Sequence, residues 1–110
     1  RLDNIYFASN SCELNPISME ILTAFVDYLI LNKNLKVGIH GHTDNVGGNS
    51  ENLLLSTNRA KAVYSFLLDN RIKKDRLNFK GFGEQKPLAS NETKKGRAQN
   101  RRTEFVILGQ

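Results

Sequence analysis

The sequence has few of the residues that cross-link, interrupt or embed a polypeptide chain. Among its 110 residues are one cysteine, two prolines and no tryptophan. The single thiol, Cys12, can neither close a disulfide within the chain nor form a cysteine metal cluster. The longest apolar stretch, at 21–31, is interrupted, whereas a transmembrane helix requires a run of ~18 or more apolar residues. A disulfide framework, a cysteine-rich zinc fold and a membrane-spanning helix are therefore excluded for this sequence.

The composition that remains is typical of one folded domain. Hydrophobic residues make up 39% of the chain, and its 110 residues fit a single domain spanning 1–110. A chain of this size buries roughly two thirds of its unfolded surface without needing disulfides. Because the sequence begins at Arg1 rather than at methionine, we expect it to be part of a larger protein. Any membrane attachment is expected to come only from parts upstream of it.

Charge is distributed unevenly along the chain. The net charge is +5, but residues 1–58 carry three basic and six acidic side chains, and residues 59–110 carry thirteen basic and five acidic ones. The two halves therefore differ in sign, at −3 and +8. A positive field attracts nucleic acid, acidic lipid or carboxylate-bearing polymers, and it informs about partners rather than about fold.

Apolar periodicity predicts strands and helices in alternation. The predicted elements are a strand ending near Phe7, a helix at 16–31, a strand from 35 that runs into 41–44, a helix at 53–69, a strand at 76–82 and a strand at 103–108. Asn15 is the expected N-cap of the first helix, with Pro16 at its first position, and Ser56 is the expected cap of the second. The expected core faces comprise Ile21, Leu22, Phe25, Val26 and Leu29 on the first helix and Ala60, Val63 and Leu67 on the second.

The order of these elements, βαβαββ, predicts an α/β fold. It is a two-layer sandwich in which a mixed four-stranded sheet carries two main helices on one face. The polar segment 83–100 contains no predicted element. Connections of that length in compact domains are often functional, so we expect this segment to contribute to function.

Two histidines near the end of the second strand suggest one enzymatic alternative. His40, His42 and Asp44 alternate along an extended segment and could offer two imidazoles and a carboxylate to one metal ion. This is similar to the opening of the metallo-β-lactamase zinc motif, but Asn45 stands where that motif continues with a further histidine. The alternative function is a metal-dependent hydrolase. The competing interpretation places both imidazoles on the solvent-facing side of the strand.

A basic cluster, formed by Lys94, Lys95, Arg97, Arg101 and Arg102, suggests RNA binding. RNA-binding sheets stack bases on exposed aromatic side chains, and Phe79 and Phe82 lie on the third predicted strand. These two rings have opposite parity, however, so at most one of them can lie on an exposed face. We therefore predict no nucleic-acid partner.

A carboxylate and a guanidinium near one end of the sheet suggest a different ligand. Asp44 follows the second strand, and Arg59 lies in the early turns of the second helix. Ligands of open α/β sheets collect beyond the carboxyl ends of strands. Arg59 could hold a carboxylate by two parallel hydrogen bonds while Asp44 accepts from an ammonium, which suits a zwitterionic ligand. An ordinary ion pair is the competing interpretation.

Three blocks of sequence resemble those of a known family. They are Gly41-His42-Thr43-Asp44-Asn45-Val46-Gly47, then Asn52-x-x-Leu55-Ser56-x-x-Arg59-Ala60-x-x-Val63, and finally Gly81-Phe82-Gly83-Glu84-x-x-Pro87 with Asn91-x-Thr93-x-x-Gly96-Arg97-x-x-Asn100-Arg101-Arg102. In this order they resemble the OmpA-like C-terminal, peptidoglycan-binding domain of bacterial envelope proteins. The resemblance extends from Ile5 to Leu108.

The resemblance implies a non-catalytic domain without a cofactor. Such domains bind the diaminopimelate residue of the peptidoglycan stem peptide and tether the outer membrane, or an envelope complex, to the cell wall from the periplasm. By this resemblance Asp44 binds the ammonium and Arg59 the carboxylate of the ligand. The expected groove is completed by Asn10, Asn52, Leu55 and Arg101. Many family members have an acidic residue where this chain has Ala8, so the outer wall of the site is expected to differ.

Overall fold

A mixed four-stranded sheet with helices packed on one face forms the frame of the molecule. The structure is a computed structural model that describes residues 3–109. In chain order its elements are β1 (Ile5–Tyr6), α1 (Pro16–Leu31), β2 (Lys36–Gly41), α2 (Asn49–Asp69), a short 3-10 turn (Lys74–Arg76), β3 (Leu77–Gly81), α3 (Lys94–Asn100) and β4 (Arg102–Gly109). The predicted α/β class and the mixed four-stranded sheet are confirmed. Within residues 3–109, no helix has both the length and the apolar character to cross a membrane.

The strand order β1-β4-β2-β3 brings several chain segments to one end of the sheet. β2 pairs in parallel with β3, while β4 runs antiparallel to both β1 and β2. The parallel pair needs a crossover, which α2 provides. The carboxyl ends of β1, β2 and β3 therefore meet the beginning of β4 at the same end of the sheet. The register places Gly41 opposite both Gly81 and Thr103 at this end.

The first helix forms where its capping residues predict. The Asn15 side chain accepts a hydrogen bond from the backbone N–H of Ser18 at 2.8 Å, and Pro16 occupies the first turn. An N-cap of this kind satisfies one of the helix's orphan N–H groups and typically contributes about 1 kcal/mol. Four of the five predicted core residues of this helix, Leu22, Phe25, Val26 and Leu29, are buried, and Ile21 is partly buried.

The core lies between the two main helices and the sheet. It consists of Ile5, Phe7, Leu22, Phe25, Val26, Leu29, Leu35, Val37, Ile39, Ala60, Val63, Leu67 and Ile72. The helix α2 lies directly against the backbone of β2 and β3, because a Cβ at Gly41 would overlap the carbonyl of Ser56 and one at Gly81 would overlap Thr57. This close approach fixes the position of α2 relative to the carboxyl ends of the strands.

The second helix begins earlier than predicted. It starts at Asn49 after Gly48, which provides no side-chain cap, so the prediction that Ser56 caps the helix is wrong. Ser56 is instead buried within α2, where its Oγ accepts a hydrogen bond from the N–H of Gly83 at 2.8 Å. The first turn of α2 is largely exposed, so no apolar period marks it in the sequence.

The polar segment 83–100 contains a short helix that periodicity did not reveal. α3 occupies its last seven residues and is capped by Thr93, whose Oγ1 accepts from the N–H of Gly96 at 2.9 Å. The buried side chain of Asn100 accepts from the N–H groups of Leu88 and Ala89 at 2.6 and 2.9 Å. The segment is therefore held in place by its own polar side chains.

Candidate binding site

Backbone hydrogen bonds position the chain that follows β2. The N–H of His42 donates to the carbonyl of Arg102 at 2.8 Å, and the N–H of Thr43 donates to the carbonyl of Gly83 at 2.9 Å. These bonds join the end of β2 to the start of β4 and to the loop after β3. Asp44 is the next residue, so its side chain extends from a backbone segment that is hydrogen-bonded both to the start of β4 and to the loop after β3.

The Asp44 carboxylate is nearly buried and already has partners. Its Oδ2 lies 3.2 Å from Nη1 of Arg101, and its Oδ1 accepts from the N–H of Val46 at 3.0 Å. The backbone carbonyl of Asp44 also faces the side-chain amide of Asn52, with Nδ2 at 3.4 Å. In this structure the cation paired with Asp44 is therefore Arg101.

The Arg59 side chain is fully buried and bonded to backbone carbonyls. Its Nε donates to Ser11 at 2.8 Å, while Nη1 donates to His42 and Nη2 to Ala8, both at 3.0 Å. The guanidinium also lies over the ring of Phe7, 5.2 Å from its centroid. A guanidinium has five N–H groups, so these bonds leave further donor capacity on the two Nη atoms.

The electrostatics of the cluster favour an additional anion. Burial lowers the pKa of Arg59 to about 10, with a further lowering from Arg101 and an opposing effect from Asp44. Arg59 therefore remains protonated at neutral pH. The cluster contains two guanidiniums and one carboxylate. It therefore carries a net positive charge in a largely buried environment. Charge-assisted hydrogen bonds from such groups to a carboxylate are about twice as strong as neutral ones.

A cavity lined by both apolar and polar residues lies next to this cluster. Its volume is about 300 Å³, and it is lined by Asn10, Val46, Gly47, Glu51, Asn52, Leu54, Leu55 and Asn58. Asn10 adopts a left-handed backbone conformation with φ of 56°, which asparagine tolerates better than most residues. Two of the lining residues, Val46 and Asn52, hydrogen-bond directly to Asp44.

The six predicted site residues thus form two adjoining groups. Asn10, Asn52 and Leu55 line the cavity, whereas Asp44, Arg59 and Arg101 form the charged cluster behind it. The charged residues do not line the cavity in this structure, and Arg59 is inaccessible in it.

Two acidic residues near the site, Glu51 and Glu84, were not among the predicted site residues. Glu84 accepts a hydrogen bond from Nδ2 of Asn52 at 3.3 Å, and Glu51 lines the cavity. Glu84 belongs to the Gly-Phe-Gly-Glu block of the family resemblance, and this block is the sequence signal that could have identified it as a site residue. The carbonyls that bind Arg59 could not be found from residue types, because backbone acceptors are present at every position.

His42 lies in a buried aromatic cluster rather than on a solvent-facing surface. Its ring is 2% exposed and stacks on Phe82 with centroids 5.4 Å apart, so the expectation of an exposed His42 is wrong. The ring of Phe82 covers this part of the strand and also contacts His40 edge-on at 4.8 Å. Burial lowers the pKa of His42 to about 4, with Arg102 contributing. The imidazole is therefore neutral at pH 7, and Glu104 at 3.9 Å is not its ion-pair partner there.

The metal-dependent hydrolase is not supported. Among residues 3–109, no group of three or more histidine, cysteine, aspartate or glutamate side chains is arranged to hold a metal ion. The carboxylate of Asp44 is bonded to Arg101 and Val46, while His42 stacks on Phe82. The carboxylate of Asp44 thus belongs to a different set of contacts from the two imidazoles, which both lie against Phe82.

A largely buried cluster of opposite charges beside an open cavity is an arrangement suited to binding a ligand. The sequence comparison agrees, since the model of the OmpA family matches residues 6–101. The chain belongs to the OmpA family. Its relatives are non-enzymatic binding domains, and the prediction that the chain is not an enzyme is confirmed at the level of the family.

The chain is similar to named proteins from several bacteria. It is 39% identical over 103 residues to the peptidoglycan-binding protein ArfA of Mycobacterium tuberculosis, covering 94% of this chain and 32% of that protein. It is 36% identical over 105 residues to the probable lipoprotein YiaD of Escherichia coli, covering 96% of this chain and 48% of that protein. The chain thus spans about a third of the length of one of these relatives and about half of the other.

A solved structure supports the same relationship. The peptidoglycan-associated lipoprotein of Burkholderia pseudomallei superposes with a TM-score of 0.90 at 28% identity. The match covers 94% of this chain and 88% of that one. The likeness therefore extends over most of both chains rather than over an isolated motif.

Proposed function

We propose that this chain binds peptidoglycan without covalent chemistry and thereby tethers the protein that contains it to the cell wall. The proposal is supported by membership of the OmpA family and by the names of two similar proteins, one peptidoglycan-binding and one peptidoglycan-associated. The observation that carries it is the largely buried cluster of Asp44, Arg59 and Arg101 next to an open cavity.

The ligand we propose is the diaminopimelate residue of the stem peptide. Its far end carries both an ammonium and a carboxylate. Arg59 is fully buried in this structure, so the carboxylate reaches its remaining N–H groups only when Arg101 moves away from Asp44, and the ammonium then binds Asp44. The wall of the groove is formed by Asn10, Asn52 and Leu55, which line the cavity.

Because Asp44 is paired with Arg101 in the structure, the ligand's ammonium has to replace part of this ion pair when it binds. Arg101 pairs with the carboxylate in the structure, and the ligand's ammonium takes over part of that role. Arg101 is partly exposed and remains bonded through Nε to the carbonyl of Phe7, so its Nη atoms can turn towards the ligand's carboxylate. With the zwitterionic end of the ligand bound, the cluster then holds three cations and two anions.

The proposed location is the periplasm, on the inner side of an outer membrane. Two of the proteins similar to this chain are named as lipoproteins. Residues 59–110 carry thirteen basic and five acidic side chains, and a positive field of this kind accelerates encounter with an anionic polymer. Proteins of an envelope complex are further proposed partners of the larger protein.

A calorimetric titration with matched ligands tests the proposal. The chain is titrated with a stem tripeptide ending in diaminopimelate, with the same peptide amidated at the far-end carboxylate, and with its lysine counterpart. We expect the first peptide to bind at least tenfold more tightly than the other two, since only it has a free far-end carboxylate beside the far-end ammonium. Equal binding of all three would refute the diaminopimelate assignment. Binding to whole peptidoglycan without binding to any stem peptide would place the ligand elsewhere in the polymer.

A further inference from the structure

The cavity beside the charged cluster has a single charged side chain in its wall. That side chain is Glu51, in the first turn of α2, and the other lining residues are asparagines, leucines, a valine and a glycine. A Cβ at Gly48 would lie 3.0 Å from Oε1 of Glu51, so the carboxylate is folded back over the start of the helix. Among residues 3–109, no lysine, arginine or histidine side chain forms an ion pair with it. The cavity therefore contains a carboxylate whose charge is not balanced by a neighbouring cation.

The side chain of Asn52 adds a second hydrogen-bond acceptor to the same wall. Its Nδ2 faces two oxygen atoms, the backbone carbonyl of Asp44 at 3.4 Å and Oε1 of Glu84 at 3.3 Å. A carboxamide nitrogen has two N–H donors, so these two contacts engage both of them. A Cβ at Gly47, another residue of the wall, would lie 3.7 Å from Oδ1 of Asn52. The part of this side chain that remains for a ligand is thus the acceptor Oδ1.

The cavity wall and the charged cluster favour different ligand groups. The cluster of Asp44, Arg59 and Arg101 has a net positive charge, so it favours a ligand carboxylate. The acceptors of the wall instead require a donor, and a carboxylate has none, whereas a carboxamide has two N–H groups. The remaining amides, Asn10 and Asn58, contain both donors and acceptors and do not discriminate between the two groups.

The peptidoglycan stem contains a group that exists in both of these forms. A glutamate residue precedes diaminopimelate in the stem, and its α-carboxyl group is either free or amidated. Val46 and Asn52, which line the cavity, hydrogen-bond to Asp44 in the cluster behind it. A stem whose diaminopimelate end is bound at Asp44 would therefore extend back through the cavity, with the glutamate residue beside the wall.

We propose that the cavity selects stem peptides in which this glutamate is amidated, and that Glu51 is the residue that determines the specificity. The inference rests on the proposed function, because the diaminopimelate end has to be bound at Asp44 for the glutamate to reach the wall. The amide N–H groups of the ligand donate to the carboxylate of Glu51 and to Oδ1 of Asn52. A free carboxylate in the same place faces Glu51 with like charge. Because Glu51 is exposed, solvent screens this effect, and the preference amounts to about threefold in affinity.

The test is a calorimetric titration with two N-acetylated stem tripeptides that end in diaminopimelate. They differ only in the α-carboxyl group of glutamate, which is free in one and amidated in the other. We expect the unmodified chain to bind the amidated peptide about threefold more tightly at low salt, and this preference to diminish as ionic strength rises. Glu51→Gln should bind both peptides equally, and Glu51→Lys should bind the free acid more tightly. Glu20→Gln, which removes an exposed carboxylate of α1 outside the cavity, should keep the original preference.

The possible outcomes separate this inference from the proposed function. Equal affinity of the unmodified chain for the two peptides, or tighter binding of the free acid, would overturn the selection. A preference for the amidated peptide that persists in Glu51→Lys would overturn the role of Glu51, provided that thermal unfolding shows the variant to be folded. If Asp44→Asn weakens two peptides that bind equally well, the selection is refuted and the proposed function stands. If neither peptide binds the unmodified chain, both are refuted.

Discussion

Arg101 and Asp44 form an ion pair at 3.2 Å in which the carboxylate is nearly buried and the guanidinium is partly exposed. A carboxylate left without a cation in such a place would be strongly disfavoured, so Arg101 keeps the site stable before a ligand arrives. It also means that a ligand's ammonium competes with an internal cation. In the proposed binding mode, the ligand's ammonium thus replaces part of the Asp44–Arg101 ion pair rather than binding a carboxylate that has no partner.

The first prediction concerns Asp44→Asn. The substitution keeps the acceptor for the N–H of Val46 but removes the charge that the ligand's ammonium requires. A contact of this kind is worth roughly 2 to 5 kcal/mol of binding, so affinity for a diaminopimelate stem should fall about 30-fold or more. Calorimetric titration measures the change. Glu20→Gln, which neutralises an exposed carboxylate on α1, serves as the control and should bind the stem like the unmodified chain.

The second prediction concerns the stability of the Arg59→Ala variant. Arg59 is fully buried and donates to the carbonyls of Ala8, Ser11 and His42. Removing its side chain leaves these acceptors without a donor, and each unsatisfied buried group is unfavourable by about 1 to 3 kcal/mol. The free energy of unfolding in urea should fall by roughly 3 kcal/mol or more. A variant as stable as the original would show that these carbonyls find water instead.

Because Arg59→Ala combines loss of binding with loss of stability, it is a poor variant for testing binding alone. Arg101→Gln is the better companion, since Arg101 is partly exposed and donates to one carbonyl and one carboxylate. Its loss of stability is expected to be smaller than that of Arg59→Ala in the same urea titration, because Asp44 keeps the N–H of Val46 and the nearby charge of Arg59. A larger loss would show that the Arg101–Asp44 pair stabilises the fold more than the three carbonyl bonds of Arg59 do.

The third prediction is a dependence of stability on pH that originates in His42. Its pKa is about 4 in the folded chain and 6.5 when exposed, so the unfolded state takes up the proton first as pH falls. The contribution of His42 is therefore fully present above pH 6.5 and is lost between pH 6.5 and 4. The shift corresponds to about 3 kcal/mol. His42→Gln cannot titrate, so its unfolding free energy should fall less steeply over this interval.

The matched control for this experiment is His40→Gln. The pKa of His40 is also lowered by burial and by Lys86, but this ring is partly exposed. Its removal should change the pH dependence less than the removal of His42 does. If the unfolding free energy of both variants falls with pH as steeply as that of the original chain, neither imidazole causes the loss of stability in acid.

The fourth prediction concerns Asn100→Ala. The Asn100 side chain accepts from Leu88 and Ala89 and donates to the carbonyl of Ala89 and to Oδ1 of Asn91 at 2.9 and 2.8 Å. Without these bonds the amides of Leu88 and Ala89 should exchange with deuterium at least tenfold faster, while amides in β2 keep their rates. Asn100→Asp, which retains the two acceptor bonds, should protect these amides to an intermediate extent. Unchanged exchange in both variants would mean that other contacts hold the segment.

Much of the fold follows from local sequence signals. The helix α1 was predictable because Asn15 and Pro16 mark its start and an apolar stripe continues through Leu29. The strands β2 and β4 were predictable from alternation and β-propensity. The first turn of α2 and the whole of α3 escaped prediction because they are polar and mostly exposed, so the core imposes no pattern on them.

The site was predictable in its residues but not in its geometry. Resemblance pointed to Asp44, Arg59 and Arg101, yet residue types do not reveal that Arg59 binds carbonyls or that Arg101 is the partner of Asp44. Those bonds join segments that are distant in the chain, and they depend on how the first loop passes over α2. The burial of His42 likewise depends on Phe82, which comes from the neighbouring strand's end.

The direction of β1 has a mechanical consequence. β1 runs antiparallel to β4, so the chain enters the sheet at Ile5 and runs from there towards the end that carries Asp44. Tension between a ligand held at Asp44 and that entry point is directed along the strands, and it loads their hydrogen bonds in shear rather than one after another. β1 contributes two residues to the sheet, and the bonds from Arg59 to Ala8 and Ser11 share that load. The same guanidinium that is proposed to bind the wall thus also resists extraction of the strand next to it.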